Sequence, residues 1–520
     1  MHLRLFCFER GATLIQFKQL NFLWVLATMS AGRKKAIVIG AGIGGLAMAV
    51  RLAVKGYEVQ VHEANAYTGG KLSAFDQEGF RFDAGPSLFT MPQFVEELFA
   101  MAGKPIQGYF RYKKLETLCH YFYEDGTRLR APSSISEMAA QLAEVLGEDQ
   151  EKILSFFRHN AWAYQITEPL FVRGSLHTLG SHLRWQTLRG IIASPFLNLF
   201  KTMNEVNEST FKNPKTVQLF NRYATYNGSD PYQTPGLMNV IPHLEHGIGA
   251  FFPEGGMHSI SQSITQLAKD LGVQFFLNSS VGRIIVENKR AKGVLIGNRR
   301  IEADLVVSNM DIMGTYRRLM PDQAAPEKLL KQERSSSALI FYWGIKKQFP
   351  ELSLHNVFFS ENYKEEFKAL FKDKTLYKDP TVYINISSKE NPSDAPEGGE
   401  NWFVMINVPP NTGQAWDQLI KEARSSIINK LSKHLGLEVE SHIVCESVLD
   451  PRGIESKTSS VQGSLYGNSS NNRYAAFLRH ANFSRKIKGL YFVGGSVHPG
   501  GGIPLALSSA AIADGFIPKA

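Results

Sequence analysis

The chain has 520 residues, 43% of them hydrophobic and 20% charged, which describes a globular protein long enough for more than one core. Its three cysteines, Cys7, Cys119 and Cys445, show no CxxC spacing, which excludes a zinc ribbon or a disulfide framework and points to a reducing, cytoplasmic setting. A formal charge of +9 calls for an anionic partner; the basic residues form no block or zinc-finger pattern, which sets nucleic acid aside, and no run reaches the ~18 apolar residues that span a bilayer.

The first 28 residues hold several basic side chains and one short apolar stretch, Phe22 to Ala27. A secretory signal needs a longer apolar region and a small-residue cleavage site. With Met29 just ahead of "SAGRKKAIVIGAG", residues 1–28 are expected to be a tail set by start-site choice, and residues 1–33 to stand outside the fold.

"KKAIVIGAGIGGLAMAVRLAVKGYEVQVHEA" then reads as strand, glycine turn, helix and strand. Ala36–Ile39 is a continuous apolar run of the kind a buried parallel strand shows. Gly40, Gly42 and Gly45 form G-x-G-x-x-G. Gly40 suits the tight turn, Gly42 lets the backbone reach a pyrophosphate, and Gly45 lets helix and strand pack closely. The helix start offers free N–H groups to the phosphates. Glu63 ends the second strand, where a carboxylate accepts from ribose hydroxyls and repels a 2′-phosphate. The segment therefore predicts a dinucleotide site. "AYTGGKLSAF" follows with Gly69, Gly70 and Lys71, a glycine pair absent from a minimal NAD unit. It reads either as a surface hairpin or, by resemblance, as the G-G-R/K element of large FAD-dependent oxidoreductases.

From Met101 to about Pro242 the chain reads as mostly helical and rich in aromatics. Within it, Pro169–Asn204 holds four Lys/Arg and no acid, with large apolar side chains at Trp185, Ile191, Ile192, Phe196, Leu197 and Phe200. Two readings stand: a core helix pair, or an interfacial segment docked on anionic lipid. "HLEH", His243 to His246, offers two histidines without further ligands, and no metal is expected. The sheet pattern returns over Ile248–Asp311, and "SSSALIFYWGI", "TVYINISS" and "NWFVMINVPP" read as strands of a second sheet. Near the C-terminus, "LYFVGGSVHPGGGIPLALSSAAIADG" gives another strand, glycine turn and helix start. Glycine is favoured where backbone must approach a ligand closely, so the two ends of the chain are expected to close one site. The expected fold is α/β: a discontinuous Rossmann-like FAD-binding domain (34–100, 243–330 and 456–520) with an inserted α+β substrate domain (101–242 and 331–455), a mixed sheet plus a helical lid.

"IGAGIGGLAMAVRLAVKGYEVQVHEANAYTGGK", "FDAGPSLFTMP", "FFPEGGM" and "YFVGGSVHPGGGIP" together resemble the FAD-dependent carotenoid desaturases of the bacterial phytoene-desaturase type, over residues 34 to 517. His498–Pro504 is similar to that family's most distinctive C-terminal signature. "FNRYATYNGSDPYQTPG", Phe220 to Gly236, is similar to the branch acting on 1-hydroxylated acyclic carotenoids, the 3,4-desaturases. The resemblance implies FAD held by Gly40, Gly42, Ile43, Gly44, Gly45, Glu63, Ala64, Gly70, Lys71, Gly85, Pro86, Ser87, Val281, Gly494, Gly495, Gly502, Ile503 and Pro504. It departs at Lys71, where arginine is common and a two-pronged phosphate contact becomes a point charge.

The implied reaction is desaturation of an acyclic carotenoid by hydride transfer to the flavin, most naturally 3,4-desaturation of a 1-hydroxycarotenoid. The cofactor carries the chemistry and the protein positions the substrate, so no strong base is required. The alternatives are a phytoene desaturase acting on unhydroxylated carotenes, or a flavin-dependent isomerase or carrier with no net oxidation. The electron acceptor is left between oxygen and a quinone. The implied partners are the carotenoid and an anionic membrane surface, with the protein cytoplasmic and peripheral to the inner face of the cell membrane. Arg222, Tyr226, Asn227 and Asp230 are candidates for binding a substrate hydroxyl or for holding a loop. His498 is a candidate for proton transfer or for stabilising the C-terminal turn.

Overall fold

A computed structural model describes residues 33–178, 185–472 and 477–520. Residues 1–32, which include the expected tail, and Arg184 lie outside the described residues.

The first buried run becomes the strand Lys35–Ile39, at the centre of a five-stranded parallel sheet. On one side it pairs with Glu58–His62 and then Gln274–Phe276; on the other, with Leu305–Ser308 and then Leu490–Phe492. These strands come from both ends and the middle of the sequence, as a discontinuous nucleotide domain requires. The helix Ile43–Val54 is buried over most of its surface because three elements cover it. Its Leu46, Ala49 and Val50 share one core with Ile260 and Ile264 of the helix His258–Asp270 and with Leu507 and Ala510 of Ile503–Asp514. Small side chains allow that triple contact.

A seven-stranded mixed sheet forms the second layer. Its order is Ile443–Leu449, Ser337–Ile345, Glu400–Val408, Val382–Asn385, His355–Phe358, Thr117–Phe122 and Arg128–Pro132. Its pairs are antiparallel except His355–Phe358 with Thr117–Phe122, which run parallel. Period-two alternation divides the two faces. Phe122, Phe341, Trp343, Phe358, Ile384, Trp402 and Val404 pack with Ile427 and Leu431 of the helix Trp416–Leu435. The opposite face carries Cys119, His355, Val357, Tyr383, Met405, Phe403, Ile340 and Tyr342, all of which line a cavity. The helix Gln150–Thr167 reaches that cavity with Tyr164 and Thr167, and Ile135–Leu146, Met203–Thr210 and Pro214–Asn221 pack behind it in one core with the sheet.

The helical reading of Met101–Pro242 is corrected at its start. Tyr112–Lys114, Thr117–Phe122 and Arg128–Pro132 are strands, the last two joined through Asp125–Gly126. That Asp-Gly pair, flanked by alternating residues, is a hairpin signal that outweighs the aromatic content. The core helix pair is corrected too. Over Trp185–Ala193 and Ser194–Phe196, Leu197 is buried, while Trp185 (66% exposed), Ile191 (63%), Ile192 (64%), Phe196 (65%) and Phe200 (75%) face outward.

Candidate active site

The cavity has a volume of about 1460 Å³ and lies between the two sheets. A drug-sized ligand occupies roughly 300–1,000 Å³, so this space suits a large cofactor together with part of a substrate. Its two halves differ in character.

The first half is walled by backbone. Gly40 takes φ +90, which frees the turn, and its N–H donates to the His62 carbonyl at 2.8 Å. Gly42 caps the helix Ile43–Val54 with no side-chain hydrogen bond, so the helix start presents its N–H groups openly. The Gly69 N–H donates to the Ala41 carbonyl at 2.8 Å, which stitches the second glycine pair to the first turn. From the other end of the chain, Gly502 starts the helix Ile503–Asp514, again with no side-chain cap. The two turns interleave: a Cβ on Gly44 would lie 2.9 Å from the Gly494 backbone. Ile43, Gly44, Ala64, Gly70, Lys71, Gly85, Pro86, Ser87, Val281, Gly494, Gly495, Gly502, Ile503 and Pro504 all line this half, with Gly40, Gly42 and Glu63. Gly45 does not line it. A Cβ there would lie 2.1 Å from the Gly40 carbonyl oxygen, so its part is helix–strand packing.

Glu63 is held rigidly. Its Oε2 accepts from the Ala41 N–H at 2.7 Å, and its Oε1 accepts from the Asn65 N–H and Nδ2 at 2.9 Å each. Lys71 Nζ donates to the Ser464 and Leu465 carbonyls, and burial pushes its pKa down to about 8. Two bare helix starts and a lysine make an anion-binding cradle, with a fixed carboxylate at the end of the second strand beside it.

The second half is lined by apolar and aromatic side chains and carries one polar pole. Arg222 Nη2 donates to Tyr121 Oη at 2.7 Å, and its guanidinium lies 4.4 Å from the Tyr223 ring centroid. Its charge is matched by Glu245 at 3.7 Å. Tyr223 and Tyr226 each donate their hydroxyl to Glu245. Burial raises the Glu245 pKa, while Arg222 and Tyr223 pull it back. Tyr383 Oη lies 2.7 Å from Ser87 Oγ and 2.8 Å from His355 Nδ1, which ties this pole to the wall of the first half.

The flavin containing amine oxidoreductase family matches residues 43–513. The chain belongs to that family. It is a flavin-dependent oxidoreductase. Among relatives of this flavin oxidoreductase, "1-hydroxycarotenoid 3,4-desaturase" of Flavobacterium sp. (strain P99-3) is 53% identical over 94% of this chain and 99% of its own. "4,4'-diapolycopene oxygenase" of Methylomonas sp is 32% identical over 92% and 97%. Among solved structures, a variant of putrescine oxidase superposes with a TM-score of 0.60 at 15% identity, covering 93% of this chain and 98% of its own. Cyclohexylamine oxidase from Brevibacterium oxydans gives 0.59 at 18% identity, with the same coverage. These structures establish the fold.

Two candidates stand away from the cavity. Asp230 accepts from the Tyr232 N–H at 2.9 Å and from Gln233 Nε2 at 2.7 Å, and its own N–H donates to Asn471. It shapes the turn after the Arg222–Asn227 segment, as aspartate commonly does. His498 is 0% exposed and sits behind the C-terminal turn, with Nε2 donating to the Gly174 carbonyl at 2.7 Å. Burial pushes its pKa down to about 4. It pins the turn to the Gly174 segment and does not face the cavity. Arg222, Tyr226 and Asn227 do line it.

Glu245, His355, Tyr383 and Asn309 escape the sequence reading. Glu245 lies inside "HLEH", where the flanking histidines draw attention to metals. Asn309 follows the strand Leu305–Ser308, and its amide packs against Gly42, Gly44 and Gly494. The one signal for His355 is a polar residue in register with Val357 on the inward face of its strand.

Proposed function

We propose that this enzyme is an FAD-dependent desaturase that introduces the 3,4 double bond into a 1-hydroxylated acyclic carotenoid. The observation that carries this reading is the polar pole in an otherwise apolar half-cavity, tied through Ser87 to the wall of the glycine cradle. In a 1-hydroxy-3,4-desaturation, the hydroxyl oxygen is separated from the reacting carbons by only three and four bonds of about 1.5 Å. A site for that reaction must therefore place hydroxyl partners close to the flavin, and Arg222 and Tyr226 line the same cavity as Ser87 and the glycine cradle. The 53%-identical relative bears the same activity in its name. FAD, rather than a mononucleotide, fits because Glu63 and the first helix start provide for a ribose and a pyrophosphate as well as an isoalloxazine.

Desaturation takes a hydride and a proton from adjacent carbons and leaves one C=C bond. A bound flavin supplies the hydride acceptor. The chain's own residues orient the substrate: Arg222 and Tyr226 engage its oxygen, and the sheet face with Ile340, Val357, Phe403 and Met405 holds the polyene and excludes water. Oxygen or a quinone reoxidises the flavin.

Substrate entry is from an anionic membrane surface, with the protein peripheral to the inner, cytoplasmic face. Among the described residues, no helix is long and apolar enough to cross a membrane. The exposed Trp185, Ile191, Ile192, Phe196 and Phe200 form an apolar patch with Arg189 and Lys201 in the same segment. Its inner side, Ala193 and Leu197, packs with Leu237, Val240 and Phe477, which line the cavity. An insoluble polyene can pass from lipid to the cavity without crossing water.

Incubating the flavin-loaded enzyme in liposomes with a 1-hydroxylated carotenoid, its unhydroxylated parent and phytoene tests the assignment. The expected product has lost two hydrogens at the hydroxylated end and kept its oxygen count. Equal or faster turnover of the parents moves the assignment to a phytoene-type desaturase, and a gain of oxygen moves it to an oxygenase.

A further inference from the structure

We propose that His355 determines specificity, by donating from Nε2–H to the oxygen of the substrate's end group. This rests on the desaturase reading above and adds a residue to it. His355 is 4% exposed and lines the cavity from the strand His355–Phe358. The parallel register pairs Asn356 with His120 and Val357 with Tyr121, which puts His355 beside Cys119, two residue pairs along the same face from Tyr121, the partner of Arg222.

The hydrogen bonds around the ring fix its proton. Asn385 Nδ2 donates to the Leu354 carbonyl at 3.2 Å, so the amide group that faces His355 Nδ1, at 3.2 Å, is its NH₂. Tyr383 Oη lies on the same ring nitrogen at 2.8 Å. With the proton on Nε2, Nδ1 is the acceptor for the Asn385 NH₂ and the Tyr383 hydroxyl alike, whereas a hydrogen on Nδ1 would serve Tyr383 Oη alone and oppose the Asn385 NH₂, so the contacts favour Nε2–H. That Nε2–H has no protein partner. Burial and the nearby Arg222 charge push the ring's pKa down to about 3, so it stays neutral.

A buried donor without a partner is costly unless a ligand completes it. A hydroxyl matches the pole on both sides: its oxygen accepts from His355, and its hydrogen goes to the oxygen of Tyr226, whose own hydroxyl is committed to Glu245. An unhydroxylated end group leaves Nε2–H unpaired. A carboxylate would face Glu245. The pole therefore selects an alcohol over both.

The test compares wild type, His355→Phe, His355→Leu and His355→Asn as flavin-loaded, full-length enzymes in liposomes. Each is assayed with a 1-hydroxylated acyclic carotenoid and its unhydroxylated parent, with flavin content and melting temperature recorded alongside. The ratio of kcat/KM values, hydroxylated over parent, is expected to fall on the order of 10–100-fold in His355→Phe. His355→Leu gives the same fall in a smaller side chain, should the phenyl ring not be accommodated. His355→Asn keeps an N–H donor and recovers part of the ratio. A structural role would lower both rates together and leave the ratio unchanged. That result overturns the inference and leaves the desaturase assignment standing. A wild type that shows no preference for the hydroxylated substrate removes both.

Discussion

Gly42→Val separates cofactor binding from folding. Gly42 has φ −67 and ψ 169, a conformation any residue can adopt. A Cβ there would meet the end of the Asn309 amide, with Nδ2 at 2.7 Å. That amide makes a weak bond to the Gly40 carbonyl at 3.5 Å, so displacing it costs about 1 kcal/mol at most. The Gly42 and Gly70 turns come together, a Cβ on Gly70 lying 3.2 Å from Gly42 Cα, so side-chain bulk added at Gly42 crowds the cradle. A pyrophosphate kept from the backbone loses on the order of two charge-assisted hydrogen bonds. At roughly 1.5–3 kcal/mol each, the loss is about 3–6 kcal/mol, or roughly 10²–10⁴-fold in affinity. The assay is the ratio of flavin to protein absorbance after purification, FAD titration of the apoprotein, and melting of the apo form. The apo form should melt within about 2 °C of wild type, and the purified protein should be colourless. A variant that stays fully yellow with wild-type FAD affinity refutes the placement of the pyrophosphate.

Three further outcomes follow from the same geometry. The free-protein pKa of Lys71 lies near 8, and an anionic cofactor raises it, so binding takes up a proton above pH 8. FAD affinity should therefore fall between pH 7 and pH 9.5 in wild type and stay flat in Lys71→Arg; a flat wild-type profile contradicts this. Glu245→Gln leaves Arg222 as a buried cation without its counter-ion and should cost about 3–5 kcal/mol, read as a lowered melting temperature. An unchanged melting temperature would show that the pair contributes nothing. For the patch, Ile191→Asp with Phe196→Asp should abolish binding to anionic vesicles, whereas Arg184→Glu with Arg189→Glu should weaken it mainly at low salt. Vesicle binding retained by both variants would return the segment to a role unconnected with lipid.

The nucleotide half was legible because backbone geometry writes itself into glycine spacing. Gly40, Gly42 and Gly45, the acid at Glu63 and the C-terminal glycines each answer a local requirement, and those requirements are met within a few residues of sequence. The substrate half was legible only in outline. Arg222 and Tyr226 stood out within one segment, but the groups that meet them come from distant strands, and strand register alone brings His355 and Tyr383 to the same face. For Asp230 the sequence left two readings open, because a turn-forming aspartate and a ligand-binding one look alike until their partners are seen, and its partners are those of the turn. His498 was open in the same way: its neighbours in sequence line the cavity while its side chain turns into the core, where it holds the turn. The aromatic richness of Met101–Pro242 masked a hairpin whose Asp125–Gly126 turn was in plain view. The outward Trp185, Ile192 and Phe196, at i, i+7 and i+11, carry a helical apolar spacing that serves a buried helix and a surface one equally well.

An anaerobic single turnover tests the central claim most directly. Flavin-loaded enzyme in liposomes is mixed with one equivalent of a 1-hydroxylated acyclic carotenoid, and the flavin and polyene bands are followed together. The account predicts that the oxidised flavin band bleaches in step with a shift of the polyene to longer wavelength, one product formed per flavin reduced. A polyene shift without flavin bleaching would make the enzyme an isomerase, and neither change would show that this carotenoid is not its substrate.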